Sequence, residues 1–248
     1  MMTKVLFPNI RWWFLLLVPV TFLGFYPSYF SKLSDTLSVF HFHAIFMIAW
    51  IAIAITQPFL IRQKKIELHQ RIGKISYVIM PLVFITAFLV IRHVYHNFIH
   101  DEAEKVVGSI SKLDEAEVNA KAAAYVMIGV VYLVWLIIFY FMAILNRKRK
   151  LFHATYMFAA VLTFLGPTVD RILYQVYQYL GIGFNLLAET AVFVTIDLLL
   201  AGLIWYQWKK GYSVKAAFFS LFIYVSGQAA YFIMPKMEIW SLFLEFML

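Results

Sequence analysis

Long apolar stretches alternate with short polar connections along the whole chain. Each stretch holds about 20 residues, and a helix of that length crosses the roughly 30 Å hydrocarbon core of a bilayer. The apolar residues run continuously instead of alternating with polar ones, which favours helices over the strands of a barrel. Seven spans are predicted, at residues 11–30, 39–61, 74–96, 122–146, 152–177, 185–207 and 214–234.

The composition agrees with this pattern. Of the 248 residues, 63% are hydrophobic and 14% are charged, whereas globular domains carry about 25% charged residues. The predicted fold is therefore all-α: one transmembrane domain over residues 1–248, a seven-helix bundle whose main partner is the lipid bilayer. Cysteine is absent, which excludes disulfides, thiolate metal ligands and thiol nucleophiles.

Basic residues are concentrated in one set of connections. Fourteen of the 21 lysines and arginines lie there, with Glu67 as the accompanying acid. They are Lys4, Arg11, Arg62, Lys64, Lys65, Arg71, Lys74, Arg147, Lys148, Arg149, Lys150, Lys209, Lys210 and Lys215. The positive-inside rule predicts that this side is cytoplasmic, with the N-terminus inside and the C-terminus outside. The net charge of +8 is thus attributed to membrane topology, not to nucleic-acid binding.

Two segments on the other side are predicted to be polar or interfacial. The longest connection, an external loop over residues 97–121, is acidic and is expected to be solvated and partly helical. The final segment EIWSLFLEFML is too short to span and is expected to lie on the outer interface.

Histidines near the outer ends of the predicted spans favour a metal site. His43 lies at the start of the second span, while His93 and His96 lie at the end of the third. Imidazoles three residues apart share a helix face and can ligate zinc or iron. Together with Glu189, in the first turn of the sixth span, they form the predicted metal-ligating set. A hydrated interfacial stripe is the alternative.

Histidines at two membrane depths also suggest a bound cofactor. His41 and His43 lie at the outer level, and His69 and His153 lie near the basic connections. These four residues are the predicted cofactor-binding residues, with haem as the expected cofactor besides zinc or iron. For His69 and His153, a solvated loop position or a helix cap is the alternative.

A third set consists of polar groups inside the spans. Asp197 has almost only apolar neighbours in sequence, and a mid-membrane carboxylate costs roughly 2.5–3.5 kcal/mol. It is therefore expected to face the bundle interior, protonated or paired, with Arg171, Tyr156 and Gln57 as the nearest donors by depth. Asp170 and Arg171 are expected to join an internal ion-pair network, or Arg171 to bind an anion. Asp197 is either a hydrogen-bonded packing residue or a proton carrier or pocket residue.

The segment VFHFHAIFMIAWIAIAITQPFLIRQKKIELHQRIGK resembles a widespread family of uncharacterised bacterial multi-pass membrane proteins. A His-x-His element, a Gln and a Leu-His-x-x-x-Gly turn carry the resemblance, with Ala44 where the family tends to have Gly. The matching residues are His41, His43, Gln57, Leu68, His69 and Gly73, then His153, Pro167, Arg171 and Asp197. The resemblance covers roughly residues 39–92 and 147–210. It picks out these residues, implies a location in a bacterial cytoplasmic (inner) membrane, and names no reaction.

The two-level distribution of histidines is also similar to transmembrane b-type cytochrome bundles, which hold two haems between paired histidines. The leading hypothesis is therefore a membrane oxidoreductase or metal-binding protein with a redox partner. A proton-coupled transporter or binding protein for a small molecule is the second. A non-catalytic assembly factor and a metal-dependent lipid hydrolase are the remaining alternatives.

Overall fold

The computed structural model describes residues 9–107, 115–181 and 186–248, which form helices and turns with no strand among them. Ten α-helices follow in chain order. They are α1 (Ile10–Leu15), α2 (Leu17–Phe25), α3 (Ser38–Arg62), α4 (Ile66–Val107), α5 (Glu115–Leu145), α6 (Lys150–Leu162), α7 (Leu165–Tyr179), α8 (Leu186–Lys209), α9 (Lys215–Ile233) and α10 (Glu238–Met247). Short 3₁₀ segments lie at Phe30–Asp35 and Met234–Lys236.

Six helical segments of the described chain are long and apolar enough to cross a membrane. They are Ser38–Arg62, Ile66–Glu104, Glu115–Leu145, Lys150–Tyr179, Ala188–Lys209 and Lys215–Lys236. Large apolar side chains such as Ile45, Leu198 and Phe222 are more than half exposed on their outer faces. Such a surface is stable against lipid and would aggregate in water. The chain is therefore an all-α, multi-pass membrane protein.

The first predicted span, 11–30, is not one long helix. The apolar helical segment there is Ile10–Phe25, about 24 Å long at ~1.5 Å per residue, which is shorter than the hydrocarbon core. It ends two residues before Pro27, which has no N–H group to continue the helix. The six spans therefore do not confirm the count of seven, and the sidedness of the termini stays a prediction.

The predicted external loop 97–121 is largely helical where it is described. Helix α4 continues to Val107 and α5 begins at Glu115, while residues 108–114 lie outside the described ranges. Alanine, glutamate and lysine are strong helix formers, so a polar sequence here extends the helices beyond the bilayer. With 42 residues, α4 is about 63 Å long.

The fifth predicted span, 152–177, is divided into α6 and α7 at Thr163 and Phe164. Pro167 explains the position of this break, because it has no N–H group to bond to the carbonyl group of Thr163, four residues earlier. The break lets α7 leave the direction of α6 and pack against α2 and α8.

Helix α5 is the centre of the core. It packs against α4, α6, α9 and α10, and its Trp135 and Phe139 are almost completely buried. The C-terminal helix α10 also packs on it: Trp240 is buried and donates from Nε1 to the carbonyl oxygen of Ala123 at 3.1 Å. One face of α10 is thus held by protein instead of lying wholly on the lipid interface.

Candidate functional site

A cavity of about 880 Å³ opens where the basic connections meet. We call this end of the bundle, formed by residues 62–74, 147–150 and 209–215, the basic face. The cavity lies among α1, α3, α4, α6 and the turn between α5 and α6. The Gln63–Lys65 turn between α3 and α4 and the Asn146–Arg149 turn between α5 and α6 are short, so cationic side chains from several elements converge on one opening.

The lining of this basic cavity is divided by polarity. Seven cationic side chains line it, and none of the described residues that line it is acidic. The cations are Arg11, Arg62, Lys64, Lys74, Arg147, Lys148 and Lys150. Deeper in the bundle the wall is apolar and includes Phe14, Trp50 and Val161, all nearly buried, together with Phe158. A molecule with a negative head and an apolar body matches this division.

Three polar atoms in the cavity wall are buried and have no hydrogen-bond partner. They are Nε of Arg11, Oε1 of Gln57 and Nδ1 of His69. The other end of the Gln57 amide is fixed, because Nε2 donates to the backbone carbonyl oxygen of His69 at 3.2 Å. An unpaired buried polar group costs about 1–3 kcal/mol, so these atoms are suited to contacting a ligand.

His153 lies on the same cavity, and its ring orientation is set by a neighbour. Its Nδ1 is 2.9 Å from the carbonyl oxygen of Ala143, which accepts when Nδ1 carries the proton. That tautomer leaves Nε2 with a free lone pair, the usual arrangement of a histidine ligand. His69 and His153 are close enough to interact electrostatically.

The predicted cofactor residues therefore separate into two places. His69 and His153 share the basic cavity, whereas His41 and His43 lie in the first turns of α3, near the other end. His41 Nδ1 is 2.9 Å from the Tyr29 hydroxyl. Partial burial raises the pKa of Tyr29, so the hydroxyl stays protonated, and the tautomer of His41 decides which group donates. His43 Nδ1 is 3.1 Å from Thr86 Oγ1.

The predicted metal set is not supported. His93 Nε2 is bonded to Asn97 at 3.0 Å, and His96 Nε2 lies 3.1 Å from the carbonyl oxygen of Leu248. His43 is bonded to Thr86, and Glu189 interacts with Asp170 instead of with the histidines. In the chain as described, no group of three or more His, Cys, Asp or Glu side chains is placed to hold a metal ion.

The predicted intramembrane polar residues also do not form one site. Gln57 belongs to the basic cavity. Asp170 and Arg171 lie in α7, with Arg171 Nη1 3.7 Å from Asp170 Oδ1. Asp197 is half-buried and accepts a hydrogen bond from Nε2 of Gln228 at 3.0 Å. Gln228 was missed, because its sequence position gives no sign of which helix face it meets.

Two further features, one in the basic cavity and one in the core beside it, were also missed. The cations of the cavity, such as Arg11 and Arg147, were interpreted only as topology signals, although their concentration in three segments of the chain was visible in the sequence. A buried bond between Gln207 Nε2 and Thr155 Oγ1, 2.9 Å long, joins α8 to α6. A glutamine inside an apolar span was the available signal for it.

Comparisons with protein-family models, with curated proteins and with solved structures find no match. The resemblance to the bacterial multi-pass family therefore stays a prediction.

Proposed function

We propose that this integral membrane protein binds an amphipathic anionic small molecule in the basic cavity. The proposal rests mainly on the lining of the cavity: it has seven cationic side chains, an apolar inner wall and no acid among the described lining residues. Binding would place the negative group near the opening and the apolar part beside Phe14 and Trp50. The proposal corresponds to the second hypothesis from the sequence, a small-molecule binding protein or transporter.

Electrostatics and apolar burial together favour an amphipathic anion over a neutral or cationic ligand. Like charges gathered in one opening repel each other, and an anion relieves that repulsion while making charge-assisted hydrogen bonds. Burial of the ligand's apolar part contributes about 25 cal/mol per Å². The unpaired atoms of Arg11, Gln57 and His69 supply further donors or acceptors at the wall.

Haem is the one expected cofactor that fits this description. It joins an apolar macrocycle to two carboxylates, and its iron takes histidine ligands. His153, with Nδ1 on the Ala143 carbonyl group, and His69, with its unpaired Nδ1, are the residues that would hold it. Bound haem would supply one-electron chemistry, as the oxidoreductase hypothesis requires. The basic side chains would pair with its carboxylates.

A series of ligands with one tail tests the proposal. Dodecyl phosphate, dodecanol and dodecylamine are titrated into the protein in nanodiscs by calorimetry. We expect saturable binding of the phosphate and only partitioning of the alcohol and the amine. Equal heats for all three, after subtraction of empty nanodiscs, would reject the proposal. A Soret band with one haem per chain would make haem the occupant, and its absence would remove the haem candidate alone.

Matched variants locate the binding. Lys74→Gln with Arg147→Gln removes two charges from the cavity, whereas Lys210→Gln with Lys215→Gln removes two charges from the same face outside it. We expect the first pair to weaken dodecyl phosphate binding by about tenfold or more, roughly 1.4 kcal/mol. The second pair should change it by less than about threefold. Equal weakening by both pairs would indicate attraction to the surface only.

We infer further that the basic face is cytoplasmic in a bacterial inner membrane, as the charge distribution predicts. The absence of cysteine makes the test simple, because each introduced cysteine is the sole thiol. Lys148→Cys should resist a membrane-impermeant thiol reagent in intact cells, and Glu238→Cys should react. If Lys148→Cys reacted and Glu238→Cys did not, the basic face would lie outside, and the binding proposal would be unaffected.

A further inference from the structure

Three buried oxygen atoms without hydrogen-bond partners come from three helices at the end of the bundle opposite the basic face. They are the hydroxyl of Tyr132 in α5, Oδ1 of Asp170 in α7 and Oε2 of Glu189 in α8. Glu189 lies in the first turn of α8, and Lys209 in its last turn belongs to the basic face. Native proteins rarely leave such atoms unpaired. Their grouping is the arrangement that a shared proton stabilises.

The position of Tyr132 is fixed by a close contact with α7. A Cβ atom at Gly166 would overlap the Tyr132 ring and hydroxyl, so the ring lies directly against this glycine. Gly166 and Asp170 are four residues apart and share one helix face. The hydroxyl is therefore directed toward the turn that carries Asp170. Tyr132 is only 6% exposed, and it interacts electrostatically with both Asp170 and Glu189.

The positive charge nearest the two acids is only partly engaged with them. At 3.7 Å, Arg171 Nη1 is too far from Asp170 Oδ1 for a hydrogen bond. The same Nη1 donates to the carbonyl oxygen of Pro167 at 2.5 Å, and the guanidinium lies over the ring of Phe25 at 4.6 Å. The guanidinium interacts with Asp170, and Glu189 interacts with Asp170 but has no cation of its own among these contacts. Two ionised carboxylates would therefore leave one negative charge uncompensated, which is costly in a low-dielectric interior.

Among the described residues, Arg171 is the cation that interacts electrostatically with Asp170 and with Tyr132. Helix α2, packed against α7, has no titratable side chain. Tyr231 in α9 also interacts electrostatically with both acids. Lys150, Lys209 and Lys215, in α6, α8 and α9, lie at the basic face, and Lys121 in α5 is paired with Glu117. His43 in α3 interacts electrostatically with Arg171.

We propose that Asp170 and Glu189 hold one proton between them, forming a buried proton-binding site completed by the Tyr132 hydroxyl. With one proton on the pair, the charges of the two acids and Arg171 sum to zero. The protonated carboxyl group adds a hydrogen-bond donor among oxygen atoms that otherwise lack a partner. The site lies between α7 and α8, away from the basic cavity, and does not depend on the ligand proposed there.

Infrared spectroscopy of the protein in nanodiscs at neutral pH tests the proposal. A protonated carboxylic acid has a C=O stretch that is separate from the carboxylate bands. We expect one such band to be lost completely in Asp170→Asn and also in Glu189→Gln, because the acid that remains no longer has a second carboxylate to repel its charge and becomes ionised. Exposed Glu238→Gln is the matched control and should keep the band. A protonated Asp197 would give a different band, removed only by Asp197→Asn.

Tyr132→Phe removes a single hydroxyl and keeps the proposal testable if an acid variant fails to fold. It should shift the frequency of the band and leave its area unchanged. A carboxylic band insensitive to both acid substitutions would overturn the proposal. A carboxylic band that appears only when choline replaces sodium and potassium would also overturn the proposal. In that case a metal cation, and not a proton, would occupy the site between Asp170 and Glu189 in ordinary buffer.

Discussion

Gln57 in α3 donates a hydrogen bond from Nε2 to the backbone carbonyl oxygen of His69 in α4, at 3.2 Å. The bond crosses the base of the α3–α4 hairpin at the wall of the basic cavity. It fixes the amide, whose Oε1 is buried and unpaired, as is Nδ1 of His69 on the same cavity. One glutamine thus connects the hairpin and supplies a ligand contact.

Gln57→Leu separates these two roles. The substitution keeps the approximate size of the side chain and removes both polar atoms. We expect a loss of about 1 kcal/mol in the free energy of unfolding, the value of one hydrogen bond. Dodecyl phosphate binding should weaken by about tenfold in calorimetry. Gln63→Leu, on an exposed residue outside the cavity, should change neither quantity. Unaltered binding by Gln57→Leu would remove Gln57 from the site.

Lys64 has a backbone conformation that favours glycine. Its φ is 60°, and the N–H groups of Lys64 and Lys65 bond to the carbonyl groups of Ile61 and Leu60 in the pattern that ends many helices. Glycine is usual at this position, and another residue costs roughly 1 kcal/mol. Lys64 also lines the basic cavity, so binding of the proposed ligand gives a reason for a lysine at this strained position.

Two substitutions at Lys64 should therefore behave differently. Lys64→Gly should raise the free energy of unfolding by about 1 kcal/mol and weaken dodecyl phosphate binding. Lys64→Ala should weaken binding equally, with stability nearly unchanged, because the strained backbone remains. Thermal unfolding and calorimetry in the same nanodiscs measure both effects. Tighter or unchanged binding by Lys64→Gly would show that this lysine does not contact the ligand.

The spans were predictable because hydrophobicity is local to the sequence. Predicted spans 39–61 and 214–234 match Ser38–Arg62 and Lys215–Ile233 within about two residues. The errors arose where helix continuation does not depend on hydrophobicity. Polar helix formers extend α4 past residue 96, and the first apolar helical segment ends at Phe25, before Pro27.

The site was only partly predictable, because it depends on which helix faces meet. Gln57 and His69 were identified by their positions and do lie together, yet the cavity between them results from packing. The acids were also identified, but their partners were not. Asp197 pairs with Gln228, and Asp170 lies near Tyr132 because Gly166 allows the aromatic ring to approach α7.

Asp197 accepts a hydrogen bond from Gln228. We expect this acceptor oxygen, and not the negative charge, to be the stabilising feature of Asp197. Asp197→Asn keeps an oxygen for the Gln228 amide, so the free energy of unfolding should stay within about 1 kcal/mol of wild type. Asp197→Leu leaves that amide without its partner and should cost about 1–3 kcal/mol. Thermal unfolding compares the two. A large loss from Asp197→Asn would assign the stabilisation to the charge. Abolished proton flux in proteoliposomes with stability preserved would support the transport hypothesis.

Gly227 in α9 makes room for the central Trp135. The indole Nε1 donates to the carbonyl oxygen of Ile223 at 3.1 Å, and a Cβ atom at Gly227 would lie 2.6 Å from Cε2 of the same ring. Gly227→Ala should therefore cost about 1–3 kcal/mol through overpacking. Gly202→Ala is the matched control, since nothing lies within 4 Å of its Cβ position. It should stabilise the helix by about 0.5–1 kcal/mol. A Gly227→Ala variant as stable as Gly202→Ala would mean that Trp135 does not pack against α9.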